Sequence, residues 1–382
     1  MLARVVFLTL TISPFLSFEW LEAFSVSRFD PVGTVKQVRQ VRAEFSSPMI
    51  PFGNPERLGD PFEVSCPANG RGRWLDPLTW VYEFDEVLPA GVECRFQLRQ
   101  GITALDGTGF KGERPFAFNT GGPTVVYSVP SELSEIAEDA VFVLFLDGPA
   151  DLSSVAAQVF LTMEGLAGTI PVVVEESGLR EEILQSIYTR SHPEDHIVVV
   201  RPRQFLAPGR KVRLVWGAGV KAPSGLATQQ DQVLDFTIRK EFTANFHCER
   251  ENPGRGCIPL ISMRPEFSAP VPEEHLRDAR LLGPGDFERR PDKTDEPFLS
   301  TLEFSPPFPP ETEFRLELPR GVSDDSGRPL VNADRFPLAV RTDRYPALVK
   351  FPAWFGVLES GEAAVLPVTV RWVETPMILH GK

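Results

Sequence analysis

Two histidines four residues apart are the strongest candidate for chemistry in this sequence. His192 and His196 enclose a Pro-Glu-Asp sequence, and histidines at i and i+4 of a helix can share one face and bind Zn²⁺. Zinc proteases of the H-E-x-x-H type carry a glutamate directly after the first histidine, whereas this chain has Pro193 there. We therefore interpret the segment as a polar loop that leads into the apolar run 197–200, and we expect no metal site.

Paired acidic residues offer a second kind of chemistry, general acid–base catalysis. Asp324 precedes Asp325 and Glu273 precedes Glu274, but each pair adjoins a turn, and neighbours in a strand point to opposite faces. We expect these carboxylates to be solvated turn residues. None of the five histidines lies beside a plausible nucleophile, and no G-x-S-x-G, Walker or G-x-G-x-x-G motif occurs. The sequence predicts no catalytic residue and no cofactor, so we expect a protein that is not an enzyme.

Composition favours many short strands. The chain has 382 residues, of which 42% are apolar and 37 are prolines, and proline is excluded from helix interiors and central strands. The length suggests two to four domains. The formal net charge of −13 makes nucleic acid an unfavourable partner, because a phosphate backbone is itself an anion.

An internal repeat organises the chain. The sequence Phe-Ser-Ser-Pro-Met at 45–49 returns as Phe-Ser-Ala-Pro-Val at 267–271, an offset of 222 residues. Half of that offset is 111, which is close to the length of one immunoglobulin-like domain. A third copy is therefore expected between these two.

Three further markers recur in the same order. A proline-containing turn precedes an alternating strand at 92–98, 212–216 and 314–318. A glycine turn follows, and then a second alternating strand that contains a phenylalanine. Glycine suits turn positions that need a positive φ. The glycines and phenylalanines that we match are Gly107, Gly225 and Gly327, and Phe118, Phe236 and Phe336.

The markers predict an all-β chain of tandem immunoglobulin-like β-sandwich domains at 35–121, 122–240 and 241–343. A fourth β domain begins after residue 346, because Leu366, Val368, Val370 and Trp372 alternate with other residues. With space for two or three strands in 346–382, we expect a truncated unit with exposed edges.

Helices and aromatic residues are assigned structural roles. A helical stripe of Leu179, Ile183, Leu184 and Ile187, and a turn or two within 272–280, belong in connections between strands. Trp80 and Trp216 lie in apolar strand faces and are expected to fill cores. Trp74 is ambiguous, because it fits either a sheet edge or a contact with a neighbouring domain.

The four cysteines form an even set that permits three pairings. Only the combination of Cys66–Cys94 with Cys248–Cys257 keeps each bridge inside one repeat. Disulfides agree with an exported chain. A zinc site is less favoured, because no C-x-x-C motif is present and the nearest additional ligand is His247.

The amino terminus supports export. A short basic start precedes an apolar run of about fourteen residues and the small-residue boundary Ala23-Phe24-Ser25. Residues 1–25 are therefore predicted to be a signal peptide, with a buried strand or an uncleaved membrane anchor as the alternatives. No later segment is apolar enough to span a bilayer.

Several sequence segments of the repeats are similar to those of a known protein family. Residues 38–49, 72–110 and 116–123 resemble the amino-terminal region of bacterial α2-macroglobulin proteins, as do 247–260, 267–271, 348–359 and 365–374. The resemblance implies a periplasmic or cell-envelope protein whose full-length relatives trap proteases. Their bait region and C-x-E-Q thioester have no counterpart here, since no cysteine is followed by x-Glu-Gln.

The resemblance makes the chain a non-catalytic spacer or tether, with proteases as partners only through a downstream region that this sequence lacks. Two alternatives stay open. An envelope or adhesion protein could use the repeats as spacers and bind other envelope proteins. A carbohydrate-processing enzyme with sandwich modules is less favoured, because no acid pair has a suitable setting.

Overall fold

Strands make up nearly all of the regular structure. The computed structural model describes residues 23–53, 59–112, 115–187, 192–351 and 368–373. The chain divides into two compact units, 1–239 and 240–382. The first unit contains two β-sandwich domains, and the second contains one sandwich and a two-stranded ribbon. The predicted all-β, tandem immunoglobulin-like fold class is confirmed.

The first sandwich consists of two four-stranded sheets, ordered β1-β3-β6-β5 and β2-β8-β7-β4. Alternation of buried and exposed side chains, typical of a sheet with one solvent-exposed face, is clearest at 40–45 and 93–98 among its strands. They are β1 Val26–Asp30, β2 Gly33–Thr34, β3 Gln40–Phe45, β4 Phe62–Ser65, β5 Gly70–Asp76, β6 Thr79–Phe84, β7 Glu93–Leu98 and β8 Pro115–Asn119.

Aromatic side chains fill the core between these sheets. Trp80 is fully buried, as predicted, and its ring centroid lies 5.0 Å from that of Phe62. Trp74, the ambiguous tryptophan, lies in the edge strand β5 and packs against Phe45 inside the same core. The Cys66–Cys94 disulfide forms as predicted and connects β7 to the residue that directly follows its neighbour β4.

The first sandwich begins earlier than the predicted boundary at residue 35. Strand β1 pairs with β3, and Phe24 is 0% exposed, in contact with Phe45 and Phe110. The predicted signal segment 1–25 thus overlaps the fold at its last residues, because the aromatic ring of Phe24 is part of the hydrophobic core. Residues 1–22 lie outside the described residues.

The second sandwich is one continuous eight-stranded sheet folded around its core, in the order β10-β16-β15-β12-β13-β14-β11-β9. Two helices lie in its connections. Its elements are β9 Val125–Val129, β10 Glu135–Ile136, β11 Phe142–Leu146, α1 Leu152–Gln158, β12 Val159–Met163, β13 Ile170–Val174, α2 Leu179–Ser186, β14 Ile197–Pro202, β15 Lys211–Trp216 and β16 Gln232–Ile238.

Helix α2 confirms the predicted stripe and buries the outer face of the sheet. Ile183 and Leu184 pack against Val143 and Phe145 of β11, so this strand is buried on both faces. Helix α1 was not predicted. It begins where the Asp151 carboxylate accepts a hydrogen bond from the Ser153 backbone N–H, a standard N-cap.

The third sandwich is built from a three-stranded sheet, β17-β18-β21, and a four-stranded sheet, β20-β19-β22-β23. The Cys248–Cys257 bridge forms here as predicted. The elements are β17 Ala244–His247, β18 Arg264–Pro272, α3 Glu273–Leu276, β19 Arg280–Leu282, β20 Glu288–Arg289, β21 Phe298–Thr301, β22 Glu313–Glu317 and β23 Leu338–Arg341.

Two short strands lie in the region where the sequence predicts a fourth domain. Strand β24 Leu348–Lys350 pairs antiparallel with β25 Thr369–Arg371. Val370 and Trp372 are exposed, while Leu366 of the predicted alternation lies outside the described residues. Within the described part of the chain, no helix combines the length and apolar character needed to cross a membrane.

The repeat markers are correct for the glycine turns and wrong for one phenylalanine. Gly107, Gly225 and Gly327 each donate to the carbonyl three residues earlier, with φ of +84°, +89° and +76°. Phe118 and Phe236 face equivalent positions of the preceding strands. In the third sandwich that place belongs to Val340, which pairs with Phe314, and Phe336 precedes the strand. The sequence match of Phe336 with Phe236 is therefore displaced by four residues from the true structural equivalent, Val340.

Candidate functional site

The two candidate metal ligands serve structural contacts. His192 packs its ring edge-on against Tyr127 and Phe145, at centroid distances of 5.2 and 5.1 Å, and its Nδ1 lies 3.2 Å from the Tyr127 hydroxyl. His196 ends the 3₁₀ turn Glu194–His196. Across the described residues, no three His, Cys, Asp or Glu side chains are grouped to hold a metal ion.

A serine–histidine pair in the third sandwich has the composition of a nucleophilic dyad, and sequence reasoning missed it. His275 Nδ1 lies 3.3 Å from the Ser323 hydroxyl but 3.1 Å from the Ser323 carbonyl oxygen. A nitrogen that donates to a carbonyl carries a proton, so it cannot accept the serine proton as a general base. The contact instead attaches α3 to the glycine turn, and the 48 residues between the partners gave no sequence signal.

Asp324 corrects the prediction of solvated turn carboxylates. Its side chain is 0% exposed and accepts hydrogen bonds from the backbone N–H of Ser326 and Arg328 and from Arg328 Nε, at 3.1, 2.8 and 2.7 Å. Its neighbour Asp325 is exposed, as predicted. The buried carboxylate organises the turn between strands, because every one of these donors lies within four residues of it.

The residues of greatest mechanical interest lie where the first two sandwiches meet. Asp147 follows β11, and its carboxylate accepts hydrogen bonds from the Thr124 backbone N–H at 2.7 Å and the Thr124 hydroxyl at 2.8 Å. Lys36 of the first sandwich reaches the same carboxylate with its Nζ at 2.9 Å. Lys36 Nζ also donates to the Gly122 carbonyl. This group of residues, with the linker 121–123, is called the junction below.

Backbone hydrogen bonds cross the junction directly. Ala90 N–H donates to the Asp147 carbonyl at 2.9 Å, and Gly91 N–H donates to the Gly121 carbonyl at 2.8 Å. The turn that precedes β7 is therefore bonded to the linker and to the second sandwich together. A flexible linker could not supply these fixed partners.

Close packing at the junction depends on glycine. A Cβ on Gly91 would lie 2.5 Å from the Cβ of Ala222, and one on Gly148 would lie 2.6 Å from the Ala90 backbone nitrogen. A Cβ on Gly122 would approach the Thr228 nitrogen to 2.3 Å. Contacts shorter than 3 Å require atoms to move apart. A side chain at Gly91 or Gly148 would therefore separate the two sandwiches, and one at Gly122 would displace the linker from the second sandwich.

The linker also enters the core of the second sandwich. Trp216 is 0% exposed, and its indole Nε1 donates to the Pro123 carbonyl at 2.8 Å. The linker at 121–123 is short, and its length alone indicates limited freedom between the domains. No such indication exists for the Lys36–Asp147 and Trp216–Pro123 contacts. Their partners are 111 and 93 residues apart in the chain and meet only when it is folded.

Burial shifts the acidity of one core phenol without giving it a chemical role. Tyr82 is 9% exposed between Trp80 and Phe84, and burial, aided by the charges of Asp60 and Asp85, raises its pKa above the usual value. The neutral phenol is therefore the stable form. The aromatic residues of this sandwich act as core, as the sequence predicted for Trp80.

Comparisons with known proteins give likeness to solved structures alone. No protein-family model matches the chain, and no curated protein matches it. An L,D-transpeptidase from Mycobacterium tuberculosis H37Rv is similar at 20% identity and a TM-score of 0.20, over 40% of this chain and 59% of that protein.

Two further structures are similar at the same level. The N-terminal part of the bacterial S-layer protein SbsC aligns at 14% identity and a TM-score of 0.22, over 52% of this chain and 40% of that one. Titin domains align at 7% identity and a TM-score of 0.25, over 79% and 95%. These scores are too low to transfer any activity to this chain.

Proposed function

We propose that this chain is a non-catalytic structural segment of an exported protein, in which the first two sandwiches act as one stiff spacer. The observation that carries the proposal is the Lys36–Asp147 ion pair together with the backbone hydrogen bonds beside it. An exposed ion pair alone contributes about 0–1 kcal/mol. Here the carboxylate is also held by Thr124, and glycines permit direct backbone contact.

The finer proposal is that the segment belongs to the amino-terminal region of a bacterial α2-macroglobulin-like protease inhibitor. It rests on the resemblance of the segments quoted above, among them 38–49 and 247–260. In that setting the segment positions inhibitory parts located downstream and performs no trapping itself. The alternative is an envelope or adhesion protein that uses the same sandwiches as spacers.

Spin-label distances test the stiffness of the spacer. All four cysteines lie in disulfides, so Gln97→Cys and Arg213→Cys, which are exposed on the first and second sandwich, can be labelled selectively. We expect a narrow distance distribution in the parent protein. Adding Asp147→Ala and Gly91→Leu should broaden it, whereas Asp85→Ala, an exposed carboxylate away from the junction, should not. A broad distribution in the parent protein would refute the stiff spacer.

Two experiments address the inhibitor proposal. The genomic sequence downstream of the Lys382 codon should continue into macroglobulin repeats, and a stop codon with an unrelated neighbour favours the envelope alternative. The chain alone, incubated with a protease, should not protect large protein substrates from digestion. Protection would contradict the claim that this segment lacks inhibitory machinery.

A further inference from the structure

The third sandwich leaves open a strand position that the other two fill. In the first sandwich β2 pairs in parallel with β8, and in the second β10 pairs in parallel with β16. In the third, the corresponding pairing with the last strand is one isolated bridge between Cys257 and Thr342. No other strand of the described residues therefore covers the edge of β23 before that bridge.

A comparison with the second sandwich shows which backbone groups of β23 lack a hydrogen-bond partner among the described residues. Asp235 in the second sandwich accepts a hydrogen bond from Leu133 N–H at 2.7 Å. Its counterpart in β23 is Ala339, since Asp235 faces Arg213 and Ala339 faces Arg315 at matching places in the two ladders. The Arg341 carbonyl accepts from Cys257 N–H on the outer side, so the alternation of a strand points the Ala339 N–H and C=O to that side as well. Among the described residues, no hydrogen-bond partner for them is found.

A second open edge faces the first. Of the described strands, β18 alone pairs with β17. The outer N–H and C=O of Ala244 are bonded to the Asn332 side-chain amide at 3.0 and 2.8 Å. Two residues further, Phe246 points its backbone groups the same way. The Asn332 amide thus takes the place of a neighbouring strand at Ala244. For the outer backbone groups of Phe246, the described residues supply no partner.

A groove of about 390 Å³ runs between these two edges. Its floor contains the half-buried side chains of Phe246, Phe336 and Leu338, which also pack against the core. Among the described residues that line it are three arginines, Arg250, Arg335 and Arg341, together with His247, and no carboxylate. His247 lies 3.3 Å from Glu266, whereas no ion pair of Arg250, Arg335 or Arg341 occurs among the described residues.

We propose that this groove, bounded by β17 and β23, binds an extended acidic peptide of another protein. The peptide adds as a strand to β23, which supplies the Ala339 N–H and C=O. Alternate side chains then point to the apolar floor and to the arginines, because strand residues alternate between faces. The proposal is independent of the spacer function, since it requires only the third sandwich.

Fluorescence anisotropy with the full chain tests the binding. The probe is a labelled seven-residue peptide that alternates glutamate and valine, and the control peptide alternates lysine and valine. We expect saturable binding of the acidic peptide that weakens with added salt, and at least about tenfold weaker binding of the lysine peptide, a difference of about 1.4 kcal/mol.

Three variants locate the site. Arg250→Glu with Arg341→Glu should weaken binding by at least about tenfold, while Arg320→Glu, an exposed arginine outside the groove, should leave it unchanged. Ala339→Pro removes the outward N–H of an edge strand, a place where proline is tolerated, and should also weaken binding. Hydrogen exchange of β22 and β23 establishes that each variant is folded.

Three results would overturn the proposal. The first is equal binding of the acidic and lysine peptides. The second is unchanged binding in the folded Ala339→Pro and Arg250→Glu/Arg341→Glu variants. The third is a dimer in sedimentation that the Ala339→Pro variant dissociates, because the edge would then be occupied by a second copy of the chain.

Discussion

Thr120 and Thr342 make the same hydrogen bonds in two different sandwiches. The hydroxyl of Thr120 donates to the Pro89 carbonyl at 2.7 Å and accepts from the Val92 N–H at 2.9 Å. The hydroxyl of Thr342 donates to the Pro309 carbonyl at 2.6 Å and accepts from the Thr312 N–H at 3.0 Å. Both threonines are 0% exposed. Thr120 therefore links the end of β8 to the proline turn before β7, and Thr342 links the end of β23 to the proline turn before β22.

Removing this hydroxyl should loosen one sandwich locally. Thr342→Val keeps the side-chain shape but leaves the Thr312 N–H and the Pro309 carbonyl without their partner, at a cost of about 1–3 kcal/mol. Thr342→Ser keeps the hydroxyl and should cost less. Hydrogen exchange of β22 and β23 measures the difference. Equal exchange in the two variants would show that the hydroxyl contributes nothing.

The turns that precede β7, β15 and β22 offer a test of backbone strain. Gly91 and Gly209 have φ of +87° and +69°, and the same turn position in the third sandwich is held by Glu311 with φ of +51°. A side chain in this region costs about 1–2 kcal/mol, partly offset by the greater freedom of glycine in the unfolded chain, about 0.4–1 kcal/mol. Glu311→Gly should raise the urea midpoint of the third sandwich, and Gly209→Ala should lower that of the second. The opposite signs would contradict the strain argument.

A double-mutant cycle separates the two partners of the buried ion pair. Asp324 and Arg328 lie at the turn positions held by Ala222 and Leu226 in the second sandwich, where the first member of each pair donates its N–H to the carbonyl of the second. Arg328→Leu alone leaves a buried carboxylate and should cost about 3–5 kcal/mol. Adding Asp324→Ala should recover much of that loss. Urea unfolding of the four proteins gives the coupling energy, and additive effects would show that the pair is not coupled.

The first glycine turn carries a pH-dependent contact. Hydrogen bonds from the Thr108 hydroxyl and then from the Thr108 backbone N–H lower the pKa of Asp106 below its usual value. A lowered carboxyl pKa stabilises the fold above the pKa of the unfolded chain, and this contribution is lost as the pH falls through the folded value. NMR titration should place the Asp106 pKa below that of an ordinary aspartate, and Thr108→Val should raise it. An unchanged pKa in the variant would rule out the hydroxyl as the main cause.

Phe24 sets a limit on processing of the amino terminus. Cleavage after Ser25, the boundary that the sequence favoured, would remove a fully buried aromatic ring, and losing such a ring costs about 3–5 kcal/mol. We expect the mass of the mature protein isolated from cells to include Phe24, and we expect Phe24→Ala to destabilise the first sandwich. A mature protein that starts at residue 26 and unfolds at the same urea concentration would contradict this.

Sequence patterns determined the repeating, all-β character of the chain, since alternation of buried and exposed residues, proline turns and positive-φ glycines are local properties. The pairing of Cys66 with Cys94 and of Cys248 with Cys257 also followed from the repeat, because each bridge closes a short loop. The same local signals misassigned Phe336, since one apolar residue near a strand resembles another.

Only the tertiary structure decided the features that join distant parts of the chain. The sequence does not indicate that Lys36 meets Asp147, or that within the described part of the chain the edge of β23 is uncovered. Each depends on which strands pair with one another and on where the chain leaves the sheet, as it does between Cys248 and Cys257. Burial and pairing are properties of the packed sheets, and residue types alone do not specify them.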